Sequence, residues 1–110
     1  MKSYTTIEQS RKLAETLPLD SADMSYIGEY NALTVDYLSA KKEFDTTKEV
    51  DIFPCWSLAA LLDVLPSATL DNSNDHYYRL NCMERFTEWY DNPVDACYEM
   101  ILKLHELNLL

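Results

Sequence analysis

Glycine is nearly absent from this chain, because Gly28 is the only glycine among 110 residues. A single glycine cannot build a phosphate-cradling loop, a dinucleotide-binding fingerprint or the G-x-S-x-G turn that presents a nucleophilic serine. Nucleotide-binding enzymes and serine hydrolases that use those motifs are therefore excluded. Turns must be built from asparagine, aspartate, serine and proline instead.

Long apolar runs are also missing. The longest extends from Cys55 to Leu62, is interrupted by Ser57 and is followed by Asp63. It is far shorter than the roughly 20 residues that span a bilayer. The first six residues are polar and show no signal-peptide pattern. We therefore expect a cytoplasmic protein that makes no membrane contact.

Cysteine and histidine are few and widely separated. The three cysteines, Cys55, Cys82 and Cys97, form no C-x-x-C pair, and their odd number argues against a disulfide framework, so we expect three small buried side chains. His76 and Cys82 share one predicted strand but would lie roughly 20 Å apart. We therefore expect no catalytic residue, no metal site and no cofactor. A small enzyme that uses scattered carboxylates is the least favoured alternative.

Basic residues are scarce. Nineteen acidic residues face nine basic ones, which gives a formal charge of −10, and residues 57–110 contribute −6 of it. A field of this sign repels phosphate backbones and anionic lipids. The charge therefore predicts a protein partner with a basic surface and no direct nucleic-acid binding. The alternative interpretation is that the charge only maintains solubility.

Hydrophobic periodicity predicts an α+β fold in one domain spanning residues 1–110, with the element order α-β-β-α-β-β-β-α. Three helices are expected, at 7–17, at 57–65 and from Pro93 onward with Asn92 as its cap. Strands are expected at 23–30, 33–37, 68–71, 76–83 and 85–90, and a loop at 41–51. A small antiparallel or mixed sheet of about four to five strands would pack against the helices.

Eight tyrosines and two tryptophans are present, and most of them fall on predicted strands. Core packing is the common role of such rings, but exposed Tyr and Trp on an acidic surface are typical of protein-binding hot spots. Acidic residues and rings of the C-terminal half are therefore the candidate partner-binding residues: Asp71, Asp75, Tyr77, Glu84, Glu88, Trp89, Tyr90 and Asp91.

Three segments carry a resemblance to a known group of proteins: PCWSLAALL (54–62), which leads to Leu65 and Pro66, NPVDACYEMILKLHEL (92–107), and ADMxY (22–26). They resemble small acidic proteins encoded by phages and mobile elements of gut Bacteroidales. The resemblance implies phage or prophage cargo expressed in a bacterial cytoplasm. It carries over no activity and no functional residue.

The leading functional hypothesis is a non-enzymatic acidic protein-binding module from a phage or mobile element. Its expected role is to inhibit a host nucleic-acid-handling or defence system, such as a CRISPR effector, by occupying a basic groove meant for nucleic acid. The alternative is a self-associating structural or accessory phage protein that forms a homo-oligomer and inhibits nothing.

Overall fold

The computed structural model describes residues 3–28, 31–44, 51–73 and 77–110, and these form four helices and six strands. The helices are α1 (Ile7–Ala14), α2 (Tyr37–Phe44), α3 (Leu58–Val64) and α4 (Pro93–Glu106). The strands are β1 (Met24–Ile27), β2 (Asn31–Leu33), β3 (Ile52–Cys55), β4 (Thr69–Ser73), β5 (Tyr77–Cys82) and β6 (Arg85–Phe86). A single 3₁₀ turn, Leu19–Ser21, precedes β1.

The described strands form two antiparallel sheets of three strands each. The first sheet has the order β2-β1-β3, with Tyr26 paired to Ala32 on one side and to Phe53 on the other. The second has the order β4-β5-β6, with Leu70 opposite Leu80. The α+β class predicted from the sequence is confirmed. The sequence pattern predicted one sheet, whereas the described strands form two. Strand β3 pairs with β1, and the C-terminal strands β4, β5 and β6 pair only with one another.

The starts of the three predicted helices are confirmed. At α1, the Thr6 hydroxyl accepts from the backbone N–H of Gln9 at 3.1 Å, and the Gln9 side chain accepts from the backbone N–H of Thr6 at 3.0 Å. This reciprocal pair satisfies two backbone donors that the helix itself leaves free. Ser57 caps α3, and Asn92 caps α4 with Pro93 at the first helical position. Helix α1 ends at Ala14, short of the predicted residue 17.

The middle of the chain differs from the prediction. The second strand ends at Leu33, and a helix begins at Tyr37, where the sequence pattern predicted the last strand residue and then a loop. Asp36 starts this helix, because its carboxylate accepts from the backbone N–H of Ser39 at 3.1 Å. Tyr37 and Ala40 then lie buried on one face of it. Residues 45–50 of the predicted loop lie outside the described residues.

Strand β3 was not predicted because Pro54 interrupts it. Proline has no backbone N–H and is tolerated at the edge of a sheet rather than at its centre. The order β2-β1-β3 places β3 at an edge, which accommodates Pro54 opposite Ser25. An unpredicted edge strand therefore brings Cys55 and the adjacent Trp56 into the interior.

The main core lies between helices α1, α3 and α4 and the inner face of β5. Its largest side chains with no more than 1% exposure are Leu13, Trp56, Leu61, Leu80, Val94, Met100, Ile101 and Leu104. A smaller cluster of Met24, Tyr26 and Cys55 covers the first sheet. All three cysteines are free thiols and buried, as predicted. The β5 side chains that alternate with Leu80 and Cys82 must consequently face outward.

Thr5 joins the two clusters through buried polar contacts. Its hydroxyl oxygen lies 2.7 Å from that of Ser10 and accepts from the backbone N–H of Trp56 at 3.2 Å. The Tyr26 hydroxyl donates to the Thr5 carbonyl at 2.7 Å. Thr5 and Ser10 have no exposed surface, so water cannot replace these partners.

Replacing Thr5 with valine is expected to lower the free energy of unfolding by about 1–3 kcal/mol. Valine retains the shape of threonine but leaves Ser10 and the backbone of Trp56 without their buried partner. Urea denaturation measures the change. Thr5→Ser keeps the hydroxyl and removes only the methyl group, so it should lose less stability than Thr5→Val. A larger loss in Thr5→Ser would show that the methyl group contributes more to stability at this site than the hydrogen bonds do.

Candidate functional site

The outer face of the second sheet carries three uncovered rings. Leu80 and Cys82 face the core, so Tyr77 and Arg79 face away from it on the same strand. The register places Phe86 of β6 opposite Asn81, on that outer face. Tyr77, Phe86 and Trp89 are 53%, 48% and 43% exposed. We call these three rings the ring face.

Arg79 lies among these rings. Its guanidinium carbon is 4.4 Å from the centre of the Phe86 ring and 4.6 Å from that of Trp89. One guanidinium nitrogen, Nη2, donates to the Asp71 carboxylate at 3.2 Å from the neighbouring strand β4. Two exposed rings and one carboxylate thus surround a single cation. This arrangement combines an ion pair with two cation–π contacts.

An acidic groove of about 370 Å³ adjoins the ring face at Phe86. Its polar lining contains the carboxylates of Glu88, Glu99 and Glu106 and the single amine of Lys103. Helix α4 supplies Glu99, Lys103 and Glu106, because side chains three or four positions apart share one face of a helix. The groove therefore presents three negative charges against one positive charge.

Tyr90 forms part of the groove wall. Burial raises the pKa of its hydroxyl, and the nearby carboxylates of Glu99, Glu88 and Asp95 raise it further. Burial is the larger cause of this shift, and the carboxylates add to it because they disfavour a second negative charge nearby. Tyr90 is only partly exposed, packs against the main core and pairs with Tyr78 through two backbone hydrogen bonds of 2.6 and 2.8 Å.

The structure separates the predicted partner-binding residues into groups. Tyr77 and Trp89 lie on the ring face with Asp71, whose carboxylate is held by Arg79. Glu88 and Tyr90 line the acidic groove. Glu84 is exposed at the turn between β5 and β6, and Asp91 is exposed just before α4. Asp75 lies outside the described residues.

Sequence reasoning missed Phe86, Arg79, Glu99 and Glu106. Phe86 could have been found only by ending the first of the two predicted strands at Cys82, because a two-residue turn at Met83 and Glu84 then places Phe86 opposite Asn81 and therefore outward. Glu99 and Glu106 follow from helical spacing along α4. No sequence signal places Arg79 against two rings, because Trp89 reaches it from a segment outside the strands.

The turn between β5 and β6 is strained. Met83 and Glu84 connect the paired residues Cys82 and Arg85, and their φ angles are +53° and +64°. A two-residue turn with positive φ at both positions normally carries Asn-Gly, because other L-residues pay a steric penalty there. Met83 and Glu84 are both exposed, so no packing requires these side chains. Strain of this kind concentrates at functional sites.

Replacing this turn with Asn-Gly is expected to stabilise the protein. Met83→Asn combined with Glu84→Gly removes the steric penalty and should raise the free energy of unfolding by about 1 kcal/mol. Thermal denaturation measures the change. Glu84→Gln keeps the side chain's shape without its charge and should leave stability within about 0.5 kcal/mol of the wild type. A loss of stability in the Asn-Gly variant would show that the turn is not strained.

Among the residues that the structure describes, no group of three histidine, cysteine or acidic side chains is arranged to hold a metal ion. No helix in the described ranges has the length and apolar character needed to cross a membrane. The chain matches no protein-family model, no curated protein and no solved structure. The ring face and the acidic groove are therefore the features from which a function is inferred.

Proposed function

We propose that this chain is a non-enzymatic protein-binding module that docks its ring face and acidic groove against a basic surface of a partner protein. The observation that carries the proposal is the adjacency of the two features. Three exposed rings lie on one sheet face, and three carboxylates line the groove that begins at Phe86. Large exposed rings contribute most of the binding energy at protein interfaces, and surrounding charges select the partner.

The charge of the chain supports a basic partner. A protein of charge −10 accelerates its encounter with a positively charged surface and is repelled by nucleic acid itself. A basic groove that normally holds a phosphate backbone offers such a surface. We therefore propose that the partner is a host nucleic-acid-handling or defence protein and that docking excludes its nucleic acid. A phage or mobile-element protein in a bacterial cytoplasm, the setting implied by the sequence resemblance, would meet such partners.

Site-specific cross-linking tests which face meets the partner. Photoreactive p-benzoylphenylalanine replaces Tyr77 in one bait and Leu38 in a matched control. Leu38 is 52% exposed and lies on α2, which packs beside β3 of the other sheet. We expect a cross-linked bacterial protein from the Tyr77 bait and not from the Leu38 bait. Equal cross-linking from both positions would contradict docking through the ring face.

Salt dependence tests the electrostatic part of the proposal. The partner identified by cross-linking is then purified by itself, free of the bait. Its dissociation constant for the wild-type chain should rise at least about tenfold between about 50 mM and 500 mM salt, because screening weakens attraction between exposed charges. Glu99→Gln combined with Glu106→Gln should reduce this dependence, since both carboxylates line the groove. An affinity that is the same at both salt concentrations would exclude recognition by charge.

Self-association is the second candidate function, and the exposed ring face is the observation that favours it. Two copies that meet through Tyr77, Phe86 and Trp89 would bury all three rings. Each copy carries a charge of −10, however, and this repulsion opposes assembly. Light scattering at two protein concentrations separates the candidates, because a mass that stays that of the monomer excludes self-association.

A further inference from the structure

Arg79 poses a problem for the proposed binding surface. A basic partner that covers the ring face would meet a like charge there, and like charges brought together at an interface are unfavourable. The side chain is only partly exposed, at 32%, and its Asp71 partner is similar at 33%. Its guanidinium contacts the rings of Phe86 and Trp89 and the carboxylate of Asp71.

The guanidinium contacts two rings and makes one hydrogen-bonded ion pair, with Asp71. Its carbon lies within 4.6 Å of both the Phe86 and the Trp89 ring centres. Its Nε atom is buried and makes no hydrogen bond within the described part of the chain. A planar guanidinium can stack on two aromatic faces at once, whereas the ammonium of lysine is a compact point charge. Arginine therefore fits between the two rings better than lysine does.

Trp89 lies between β6 and α4, in a segment that is neither helix nor strand. Backbone hydrogen bonds fix its neighbours: the Thr87 N–H donates to the Leu80 carbonyl at 2.9 Å, and the Tyr90 N–H donates to the Tyr78 carbonyl at 2.8 Å. The backbone of this segment is anchored on both sides of Trp89, but the ring itself is 43% exposed. The Arg79 guanidinium contacts this exposed ring.

We propose that Arg79 is the positioning residue of the ring face. Its guanidinium holds Phe86 and Trp89 in the orientation that the partner meets, and Asp71 neutralises its charge toward a basic partner. This inference rests on the proposed function and deepens it. It also changes the role of Asp71, which keeps the ring face electrically neutral instead of attracting the partner directly. Rings that are already ordered before binding lose less conformational entropy when the partner binds.

The free protein provides the first test. In NMR spectra of the wild type, cross-relaxation should connect the Arg79 side chain to both the Phe86 and Trp89 rings, and ring currents should shift the Arg79 Nε–H signal upfield. Arg79→Lys should remove the contact with at least one ring and weaken the order of both, because the compact ammonium has no planar face that stacks on two rings at once. Arg85→Lys on the same hairpin is the matched control and should leave the Phe86 and Trp89 signals unchanged. Ring order that persists in Arg79→Lys would overturn the proposal.

Binding provides the second test, with a fluorescein-labelled deca-arginine peptide as the basic probe. Arg79→Lys keeps the charge, so any loss reflects ring order, and we expect about fivefold weaker binding by anisotropy. Asp71→Asn should weaken binding more than Asp63→Asn, which removes the same charge from an exposed position on α3. Unchanged affinity in Arg79→Lys, or equal effects of the two aspartate variants, would overturn the positioning role. If the wild type fails to bind the probe, the proposed function fails, and the NMR test still decides whether Arg79 orders the rings.

Discussion

Replacing Trp56 with alanine is expected to lower the free energy of unfolding by about 3–5 kcal/mol. Trp56 has no exposed surface and belongs to the main core, which unites α1, α3, β5 and α4. Its indole N–H donates to the Ser21 hydroxyl at 2.9 Å, so truncation also removes a hydrogen bond. Truncating a buried ring loses its transfer free energy and leaves a cavity that neighbouring side chains fill only in part.

The matched control for this prediction is Trp89→Ala. Trp89 is 43% exposed and lies on the ring face, so its truncation should cost less than about 1 kcal/mol of stability. Urea denaturation of both variants measures the contrast. Equal losses would mean that Trp89 is as deeply packed as Trp56, and the ring face would then not be an open surface. A loss smaller than about 1.5 kcal/mol at Trp56 would contradict the position of the core.

The protein is expected to lose stability in alkaline solution because buried groups ionise more readily in the unfolded chain than in the folded protein. Burial raises the pKa of the Cys97 thiol from 9.0 to about 12, because the thiolate would have to form inside the apolar core. The unfolded chain therefore loses this proton near pH 9.0, while the folded protein keeps it. Stability from this group is fully present below pH 9.0 and is lost as pH rises toward about 12.

The expected size of this effect is about 1.4 kcal/mol per pH unit for one thiol, or about 4 kcal/mol across the full interval. Burial also raises the pKa of Tyr26 to about 12, with smaller contributions from Cys55 and Tyr4, and adds to the loss of stability above pH 10.0. Free energies of unfolding measured by urea denaturation at several pH values, with a reductant present, give the slope.

Cys97→Ala isolates the contribution of the thiol. Alanine cannot ionise, so this variant should lose stability with pH less steeply than the wild type, by about 1.4 kcal/mol per pH unit above pH 9.0. Its stability at neutral pH is a separate matter, because the smaller side chain leaves a cavity in the core. Parallel pH profiles of the two proteins would show that Cys97 ionises in the folded state as readily as in the unfolded state.

The elements that the sequence predicted well are those with local signals. Thr6, Ser57 and Asn92 each cap a helix through a side chain that lies within three positions of its backbone partner. Strand β3 has no such signal, and the cap of α2, Asp36, lies within an apolar pattern that also fits a strand. Pro54 argues against a strand until the sheet order shows that β3 lies at an edge, and the apolar pattern through Val35 and Tyr37 matches a strand as well as the start of a helix.

The candidate site was predictable in part for the same reason. The strand pattern and composition identified Tyr77, Glu88 and Trp89 as candidate surface residues, and the structure places all three at or beside the ring face. The contacts that organise this surface are tertiary. Arg79 meets Trp89 from ten positions away along the chain, and Glu88 shares its groove with residues of α4. Periodicity along one element cannot show either contact.

The strained turn and the ring face suggest a common explanation. Met83 and Glu84 occupy positions that Asn-Gly would fill with less strain, and three large rings remain exposed where polar side chains would serve solubility better. Departures from local preference are expected where a protein is selected for binding rather than for stability alone. Both departures lie on the second sheet, which is where we place the partner.

Competition with nucleic acid tests the central claim most directly. The partner identified by cross-linking is purified without the bait and loaded with a fluorescent oligonucleotide. The fluorescence anisotropy of the oligonucleotide is followed as the chain is added. We predict that the wild type displaces the oligonucleotide, and that a variant with Phe86→Ala and Trp89→Ala needs at least about 100-fold more protein, since two interface rings together contribute about 3 kcal/mol or more. A partner that holds the oligonucleotide and the chain at the same time would contradict the account.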